Sequence, residues 1–338
     1  MDQWLAEKYL SAPLLPPQGM TQALLRVGLE MMYLKERLFS YPEEEIPPET
    51  PEIATQSAEL MAIHYDMPLP LFSALLGSSM KYSMGLWEQG AKTLDEAQRH
   101  MMEDVCAKAE LADGQRVLDI GCGFGALATH IISRYPNTTV YGLTLSETQV
   151  AYLRDCMGQQ GHPLHSDRFY LAREDFNTVQ FGRKFDRVLS LGVFEHVSNL
   201  GAALEKVQRF TREDGLCFLH YIAFRPRGAM RPEPRQNAFI NRYIFPGGRV
   251  WNMDALRGEG CHFELLRQWF LSGRNYRRTL QAWLRNFNRH SKGLQERGVI
   301  TPRMRRVWEL YLQCCIAFFS VRGGTIFGNG QFLLRPRP

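Results

Sequence analysis

The order of apolar and polar positions divides the chain into a helical front part, a β/α centre and a mixed rear part. From residue 116 onward, short apolar runs rich in β-branched residues alternate with stretches of helical periodicity. This alternation predicts a doubly wound parallel α/β sheet, and ligands of such sheets bind outside the carboxyl ends of the strands. The five predicted strands occupy residues 116–120, 139–143, 169–172, 185–191 and 216–222.

The first 55 residues are predicted to form a helical N-terminal extension. Prolines interrupt residues 13–17, and the acidic and proline residues of 43–51 predict an exposed linker. Between them, apolar residues at helical spacing predict an amphipathic helix through Leu24, Leu25, Leu29, Met32, Leu34 and Leu38. We expect residues 1–55 to cap a substrate pocket or to pack against a second chain in a homodimer.

Residues 56–338 are predicted to form the main domain, with a helical substrate-side region at 225–300. A helical pattern covers 56–76, and Thr93 with Glu96 predicts a capping box for a helix that extends to about residue 112. The other predicted elements are a loop at 81–85, helices at 127–134, 279–287 and 303–319, and a terminal strand at 328–334.

Length and composition are those of a large globular domain. With 338 residues, 45% of them hydrophobic, the chain can bury an extensive core. No apolar stretch is long enough for a membrane span, and the N-terminus lacks the pattern of a secretory signal, so we expect a cytoplasmic protein. Seven cysteines without any CxxC spacing predict neither a disulfide framework nor a metal site.

The charge is unevenly distributed along the chain. The net charge is +5, but residues 267–306 contain eleven Lys or Arg against the single acid Glu296, a local balance of 11 − 1 = +10. Such a surface could contact an anionic membrane at its periphery or another acidic partner, and it could equally be a solvated helical face. Nucleic acid is not expected, because no recognised binding module accompanies the charge.

A glycine loop follows the first predicted strand. Gly121, Gly123 and Gly125 alternate with other residues directly after the strand, and Asp119 lies near the end of that strand. Glycines let the backbone approach a ligand closely, although the same spacing would also serve a structural tight turn. The loop differs from the GxGxxG dinucleotide fingerprint, and the second strand ends in Thr144 where a dinucleotide site needs an acid. S-adenosylmethionine therefore fits better than a nicotinamide dinucleotide.

Polar residues follow the second and third strands. Thr144 and Gln149 can hydrogen-bond a ribose or a base, and Glu174 with Asp175 can accept from an exocyclic amine. Each has a simpler alternative: Thr144 could be a helix N-cap and Asp175 part of a surface turn. Their joint position at the strand ends favours a nucleoside site.

Acid/base candidates follow the fourth and fifth strands. Glu195 and His196 come shortly after Gly192, His220 lies near the end of the fifth strand, and Tyr276 follows later. These four side chains could transfer protons or orient a bound anion. Taken singly, each could instead be a helix-capping Glu or a buried residue of the core.

From about His64 to the C-terminus, the sequence resembles the cyclopropane-fatty-acyl-phospholipid synthase family of S-adenosylmethionine-dependent methyltransferases. That group includes the mycolic acid cyclopropane synthases and, as close cousins, the plant coclaurine-type N-methyltransferases. The resemblance implies a Rossmann-like class I methyltransferase fold and does not cover residues 1–55. It is carried by His64 to Asp66, Lys81 to Ser83, 117–125, 142–146 with Gln149, 185–187, 194–197, 242–247, and Tyr276 with Thr279, Leu280, Ala282 and Trp283.

The resemblance also implies roles for particular residues. Cyclopropane synthases are similar to one another in binding a bicarbonate ion, and the matching positions here are Glu195, His220, Ile222 and Tyr276. A fifth position, a cysteine in those enzymes, is Met84 in this chain. The implied contacts to S-adenosylmethionine are Tyr82 and Ser83 for its tail, Asp119, Gly121, Gly123 and Gly125 as its cradle, Thr144, Leu145 and Gln149 for its nucleoside, Glu174 and Asp175 for its adenine, and Gly192.

We therefore predict methyl transfer from S-adenosylmethionine to an alkene carbon of an unsaturated lipid-like substrate, giving a cyclopropane or a methyl branch. Gly192 and 241–246 resemble the synthases, whereas 134–137 and 197–199 resemble the amine branch. N-methylation of a hydrophobic amine therefore stays an alternative. A catalytically silent binding module is a third hypothesis, and the intact glycine loop argues against it.

Overall fold

A computed structural model describes residues 3–12, 16–38, 51–225, 239–257 and 262–337. The predicted linker lies largely outside these ranges, which resume only at residue 51. Within the predicted substrate-side region, 226–238 and 258–261 also lie outside the described residues.

Helices make up the front of the chain. The capping box is confirmed, since the Thr93 side chain accepts from the Glu96 N–H and Glu96 reaches back to the Thr93 N–H. The helix that follows ends at Lys108, earlier than predicted, because Glu110 adopts a left-handed conformation with φ 52°. The elements are α1 (Gln3–Ser11), α2 (Gln18–Leu38), α3 (Ser57–Leu60), a π-helical turn (Met61–Tyr65), α4 (Leu69–Leu76) and α5 (Leu94–Lys108).

The β/α centre contains all five predicted strands, and the mixed α/β fold class is confirmed. These strands are parallel and adjacent in the order β3-β2-β1-β4-β5. The elements are β1 (Arg116–Ile120), α6 (Ala126–Arg134), β2 (Thr139–Thr144), α7 (Glu147–Gly158), β3 (Phe169–Arg173), β4 (Phe185–Leu191), α8 (Leu200–Phe210) and β5 (Thr211–Phe224).

The rear part contains the predicted terminal strand and adds antiparallel pairing to the parallel β/α centre. The last strand is antiparallel to both of its neighbours and lies between β5 and a strand that was not predicted. That missed strand has half-buried residues along most of its length, so it lacks the clean alternation that marks a strand in sequence. The elements are α9 (Phe239–Tyr243), β6 (Trp251–Asn252), β7 (Phe263–Ser272), α10 (Gly273–Glu296), α11 (Pro302–Phe318) and β8 (Phe327–Pro336).

The start of α10 was also predicted wrongly. The helix begins at Gly273 and not at residue 279, so Tyr276 lies in its first turns instead of before it. Buried polar residues caused the error: Asn275 and Thr279 have no exposed surface and interrupt the apolar periodicity. Ser272 caps this helix by accepting from the Arg274 N–H.

Helix α2 packs on α11, with Thr21 and Tyr33 buried. Three apolar residues that defined its predicted buried face are exposed instead: Leu24 by 65%, Met32 by 50% and Leu34 by 47%. Periodicity identified the helix but not which side faces the core, because Thr21 and Tyr33 occupy that side. Among the described residues, no helix has the length and apolar character needed to span a membrane.

Candidate cofactor and acceptor site

A cavity opens at the carboxyl ends of β1, β2 and β4, the edge of the sheet where ligands of such folds bind. Its empty volume is about 1160 Å³, including the space open to solvent. Twelve of the sixteen predicted site residues line it: Tyr82, Ser83, Asp119, Gly121, Gly123, Thr144, Leu145, Gln149, Glu174, Asp175, Gly192 and His196. The other four, Gly125, Glu195, His220 and Tyr276, are not on its wall.

The glycines of this cavity wall have positive φ angles, which L side chains adopt at a cost. At Gly123 (φ 59°) and Gly192 (φ 73°), an added Cβ would meet no protein atom within 4 Å, so both positions border open space. At Gly121 (φ 73°), an added Cβ would collide with Val193 Cγ2. Gly121 therefore lets the loops after β1 and β4 approach each other, while Gly123 and Gly192 leave room for a ligand.

Asp119 brings an unpaired carboxylate to the cavity. The residue is 2% exposed, and its Oδ2 atom has no hydrogen-bond partner among the described residues. Burial raises the pKa of this carboxyl to about 7. An orphaned buried carboxylate fits a ligand that carries an ammonium or hydroxyl donor, as S-adenosylmethionine does.

Thr144 and Gln149 are held in place before any ligand binds. The Thr144 hydroxyl donates to Gln149 Oε1 at 2.6 Å. The N-cap of α7 is Ser146 and not Thr144, which removes the capping alternative for Thr144. Asp66 in turn accepts from the Ser146 hydroxyl at 2.7 Å, a supporting contact that the sequence interpretation missed.

The two acids after β3 lie in different surroundings. Asp175 Oδ1 accepts from the Asn177 N–H at 2.7 Å, so this side chain stabilises the turn that the alternative reading predicted. Glu174 is exposed and lines the cavity, as Asp175 also does. Both acids border the cavity, and only Asp175 has a structural function besides.

Glu195 lies behind the cavity wall, in the short 3₁₀ turn after β4. Its Oε1 atom accepts from the Ile222 N–H of β5 at 2.8 Å, while Oε2 has no partner among the described residues. Burial raises the pKa of the carboxyl to about 7. Glu195 can therefore exchange a proton near neutral pH.

The two predicted histidines are neutral; His220 is buried and His196 is half-buried. His196 Nε2 lies 2.9 Å from the Tyr65 hydroxyl, and burial lowers the pKa of the imidazole to about 4. His220 lies between the side-chain amides of Asn329 (3.0 Å) and Gln331 (3.3 Å) of β8. Burial, and then nearby lysines, lower its pKa to about 3. Among the four predicted acid/base residues, only His196 borders the cavity.

Burial and the charge of Glu195 both affect the pKa of Tyr276. Burial raises the pKa of its phenol well above the usual range, and the charge of Glu195 adds to the effect. Tyr65, whose pKa is raised by the same two causes, joins this group. We call Glu195, His196, Ile222, Tyr65 and Tyr276 the acceptor cluster.

An aromatic group adjoins the acceptor cluster. Phe245 lies 5.4 Å from the His196 ring and 4.4 Å from His64, measured between ring centroids. His64 stacks on Trp308 at 5.2 Å, and its Nε2 is 2.7 Å from the Tyr82 hydroxyl. These rings come from distant parts of the chain. His64, Tyr82 and Phe245 lie in segments that carry the family resemblance, whereas Trp308 gave no signal in the sequence.

Comparison with known proteins identifies the family. The family model described as mycolic acid cyclopropane synthetase matches residues 53–327. A probable fatty acid methyltransferase of Pseudomonas putida is 31% identical over 292 residues, which cover 85% of this chain and 72% of that protein. Cyclopropane-fatty-acyl-phospholipid synthase of Escherichia coli K12 is 31% identical over 77% of this chain, which spans 64% of the synthase. An (S)-coclaurine N-methyltransferase of Papaver somniferum is 27% identical over 81% of this chain and 79% of that enzyme.

Solved structures agree with this assignment. Coclaurine N-methyltransferase bound to N-methylheliamine and SAH has a TM-score of 0.84 over 98% of this chain and 99% of that one; at 21% identity it shows the fold alone. The cyclopropane synthase MmaA2 from Mycobacterium tuberculosis has a TM-score of 0.72 at 27% identity, over 83% of this chain and 98% of its own. The fold, the cavity and these matches together show that the chain is an S-adenosylmethionine-dependent methyltransferase that belongs to the mycolic acid cyclopropane synthetase family.

Proposed function

We propose that the enzyme methylates an alkene carbon of an unsaturated lipid acyl chain and forms a cyclopropane or a methyl branch. The observation that carries this proposal is the buried Glu195, whose unpartnered oxygen and raised pKa suit a proton acceptor next to the cofactor cavity. The 31% identity to a probable fatty acid methyltransferase and to a cyclopropane-fatty-acyl-phospholipid synthase supports a lipid over an amine.

We propose that the predicted cofactor residues on the cavity wall bind S-adenosylmethionine. Asp119 would accept from the amino-acid part of S-adenosylmethionine, Thr144 and Gln149 would contact the nucleoside, and Gly123 with Gly192 would leave room for it. When bound, S-adenosylmethionine supplies an electrophilic methyl group. The protein's own contribution is to hold the acceptor carbon in line with that methyl group and to exclude water.

Methylation of an alkene leaves a cation on the acyl chain, and a proton must then leave for the ring to close. Phe245 and Tyr276 are proposed to stabilise that cation with their ring faces. Tyr243 is not proposed for this role, because its hydroxyl donates to Glu7 of α1. We propose Tyr65 in its place, since its hydroxyl reaches His196 on the cavity wall.

Two groups could take the proton, Glu195 itself or a bicarbonate ion bound beside it. The Ile222 N–H already donates to Glu195, and both ring nitrogens of His220 contact amide groups of β8. A bicarbonate ion would have to compete with these bonds. We therefore propose Glu195 as the proton acceptor. Turnover that depends on bicarbonate would show instead that a bicarbonate ion takes the proton.

The test of the proposed function uses S-adenosylmethionine with a deuterated methyl group and vesicles of unsaturated phospholipid. Mass spectrometry of the hydrolysed lipids should find deuterium in the acyl chains, two atoms for a cyclopropane and three or two for a methyl branch. Label confined to amine headgroups or to added hydrophobic amines would refute the proposal. Repeating the reaction with and without added bicarbonate separates the two proton acceptors.

N-methylation of a hydrophobic amine is the second candidate, and the aromatic surroundings of the acceptor cluster favour it. The rings of Phe245 and Tyr65 lie 5.4 Å and 5.8 Å from the His196 ring, measured between centroids, and aromatic faces of this kind can bind an ammonium group. In this case turnover should rise with pH as the substrate amine loses its proton, and it should not respond to bicarbonate. Parallel assays with a benzylisoquinoline amine and with lipid vesicles decide between the two.

We also propose a peripheral contact with anionic membrane. Met20, Leu24, Val27 and Met31 are each more than 50% exposed on one side of α2. Gln18 at the start of α2 contacts Asn288, which neighbours exposed basic residues of α10. An exposed apolar helix beside basic residues suits an anionic lipid surface, where each basic residue contributes about 1 kcal/mol.

Vesicle flotation tests this contact. Replacing Leu24 and Met31 by Glu should abolish flotation with anionic vesicles, whereas Tyr170→Ser, which removes an exposed aromatic ring elsewhere, should not change it. If the Glu variants instead dissociate a dimer in analytical ultracentrifugation and leave flotation unchanged, the surface joins two copies of the chain and the membrane proposal is wrong.

A further inference from the structure

Lys81 is a buried cation on the cavity wall that has no carboxylate partner. The residue is 4% exposed and lines the cavity. Its ammonium group donates to the Ser83 hydroxyl and to the Met84 carbonyl at 2.9 Å, and among the described residues no acid forms an ion pair with it. An ammonium has three donors, so one remains for a ligand.

Asp119 is the matching anion of the same cavity. Its carboxylate also lacks an ion pair among the described residues, and neither group contributes to the pKa of the other. Burying a charged group without a partner is costly, and this cavity contains two ionisable groups of opposite sign, Lys81 and Asp119, that form no ion pair with each other. By contrast, Lys108, which also lies near His220, is paired with Asp104 at 2.8 Å.

We infer that Lys81 binds the α-carboxylate of the methionine part of S-adenosylmethionine, while Asp119 faces the α-ammonium group. A free amino-acid end is zwitterionic, and it would neutralise both buried charges at once. The inference concerns the cofactor only and does not depend on which substrate accepts the methyl group, so the lipid proposal can fail while this one stands.

Two further observations suit a carboxylate-class anion at Lys81. The Met84 N–H, in a residue with no exposed surface, has no acceptor among the described residues. Burial lowers the pKa of the Lys81 ammonium to about 7, and a bound anion would favour its charged form. Bicarbonate presents the same chemistry as an α-carboxylate, so the experiment has to distinguish the two sources.

Calorimetric titration with two ligands makes that distinction. S-adenosylhomocysteine carries the amino-acid end, whereas 5′-methylthioadenosine has the same nucleoside and a thioether but no amino acid. In Lys81→Met, affinity for S-adenosylhomocysteine should fall by about tenfold or more, and affinity for methylthioadenosine should change less than threefold. Lys81→Arg should recover part of the loss, because it keeps the charge.

Lys108→Met is the matched control, since it removes a second lysine near His220 whose charge already has a partner. It should leave both affinities within twofold of the parent enzyme. Thermal melting of each variant shows whether the chain is folded. Equal losses for both ligands in Lys81→Met would assign Lys81 to the structure of its loop and overturn the inference. Unchanged affinities with a raised bicarbonate requirement for turnover would assign the anion to bicarbonate and also overturn it.

Discussion

Asp119 near the end of β1 and Glu195 after the neighbouring strand β4 share their carboxylate chemistry, yet their surroundings differ. Each is buried, each has one oxygen without a partner among the described residues, and burial raises the pKa of each to about 7. Asp119 lines the open cavity beside the glycines, whereas Glu195 lies behind the wall and is held by Ile222 of β5. We thus propose that one buried carboxylate contacts the cofactor and that the other takes a proton from the methylated substrate.

The difference teaches how each half of the site is built. The cofactor wall, which we define as Asp119, Gly121, Gly123 and Gly192, is mainly backbone, and its glycines create both the close approach of two loops and the open space. The acceptor cluster consists of four side chains and the Ile222 backbone, brought together from four separate elements. Substitutions in the wall should therefore alter binding, and substitutions in the cluster should alter turnover.

The largest expected effect is on turnover. Glu195→Gln keeps the acceptor for the Ile222 N–H but removes the base, so kcat should fall by about two to three orders of magnitude. Affinity for S-adenosylhomocysteine should change less than threefold. Single-turnover kinetics and calorimetry measure the two quantities, with Glu103→Gln on the surface of α5 as a control. A parallel loss of cofactor affinity would contradict the separation of the two halves.

The pH profile follows from the raised pKa of Glu195. A base works in its deprotonated form, so at saturating cofactor kcat should rise with pH up to about 7 and then level off; activity is lost as pH falls through about 7. Between pH 7 and pH 5, kcat should fall increasingly steeply and approach about a tenfold loss for each pH unit. Steady-state rates over this range measure it. A rate that continues to rise well above pH 8 would indicate an amine substrate instead.

A methyl group added at Gly121 should weaken cofactor binding by about tenfold. Gly121→Ala adds a Cβ against Val193 Cγ2 at a residue whose positive φ costs alanine about 1 kcal/mol. The second substitution Val193→Ala should restore most of the loss, because it removes the colliding methyl group. Gly158→Ala, where an added Cβ meets nothing, is the control. Failure of the double variant to recover would mean that backbone strain dominates.

Asp119→Asn should separate stability from binding. Because the folded pKa is raised, the ligand-free folded protein binds more protons than the unfolded chain between about pH 4 and pH 7, and stability falls as pH rises through that window. The variant lacks this loss, so its Tm relative to the parent should be several degrees higher at pH 8 than at pH 5. Its affinity for S-adenosylhomocysteine should be lower. Equal Tm differences at both pH values would rule out a raised pKa.

The smallest effect is expected at Met84, whose side chain is fully buried in the core. Met84→Cys introduces the thiol of the cyclopropane synthases and leaves a small cavity that costs about 1 to 2 kcal/mol of stability. If the backbone serves this position, kcat should stay within threefold of the parent value. An increase of tenfold or more, together with dependence on bicarbonate, would show that the thiol itself contributes.

Much of the cofactor wall could be predicted from the sequence because its signals are local. The run 117–125 contains both the strand and its glycine loop, and Thr144 follows its strand directly. The capping box at Thr93 was found in the same way. In each case the residues that make the contact are neighbours along the chain, so spacing alone carries the information.

The acceptor cluster and Lys81 depended on tertiary structure. Glu195 accepts a hydrogen bond from the Ile222 N–H, and the Tyr65 hydroxyl contacts His196. Strand β8 lies antiparallel between β5 and β7. All of these contacts join residues that are far apart in sequence. Whether a charge is buried without a partner is likewise a property of everything packed around it. The sequence by itself determined the five parallel strands of the β/α centre and the family, because parallel β/α units and glycine loops are coded in short segments, whereas the order of the strands came from the structure. Only the tertiary structure decided which carboxylate borders the cavity, which one lies behind it, and that no acid among the described residues forms an ion pair with Lys81, because desolvation and pairing are set by the whole fold.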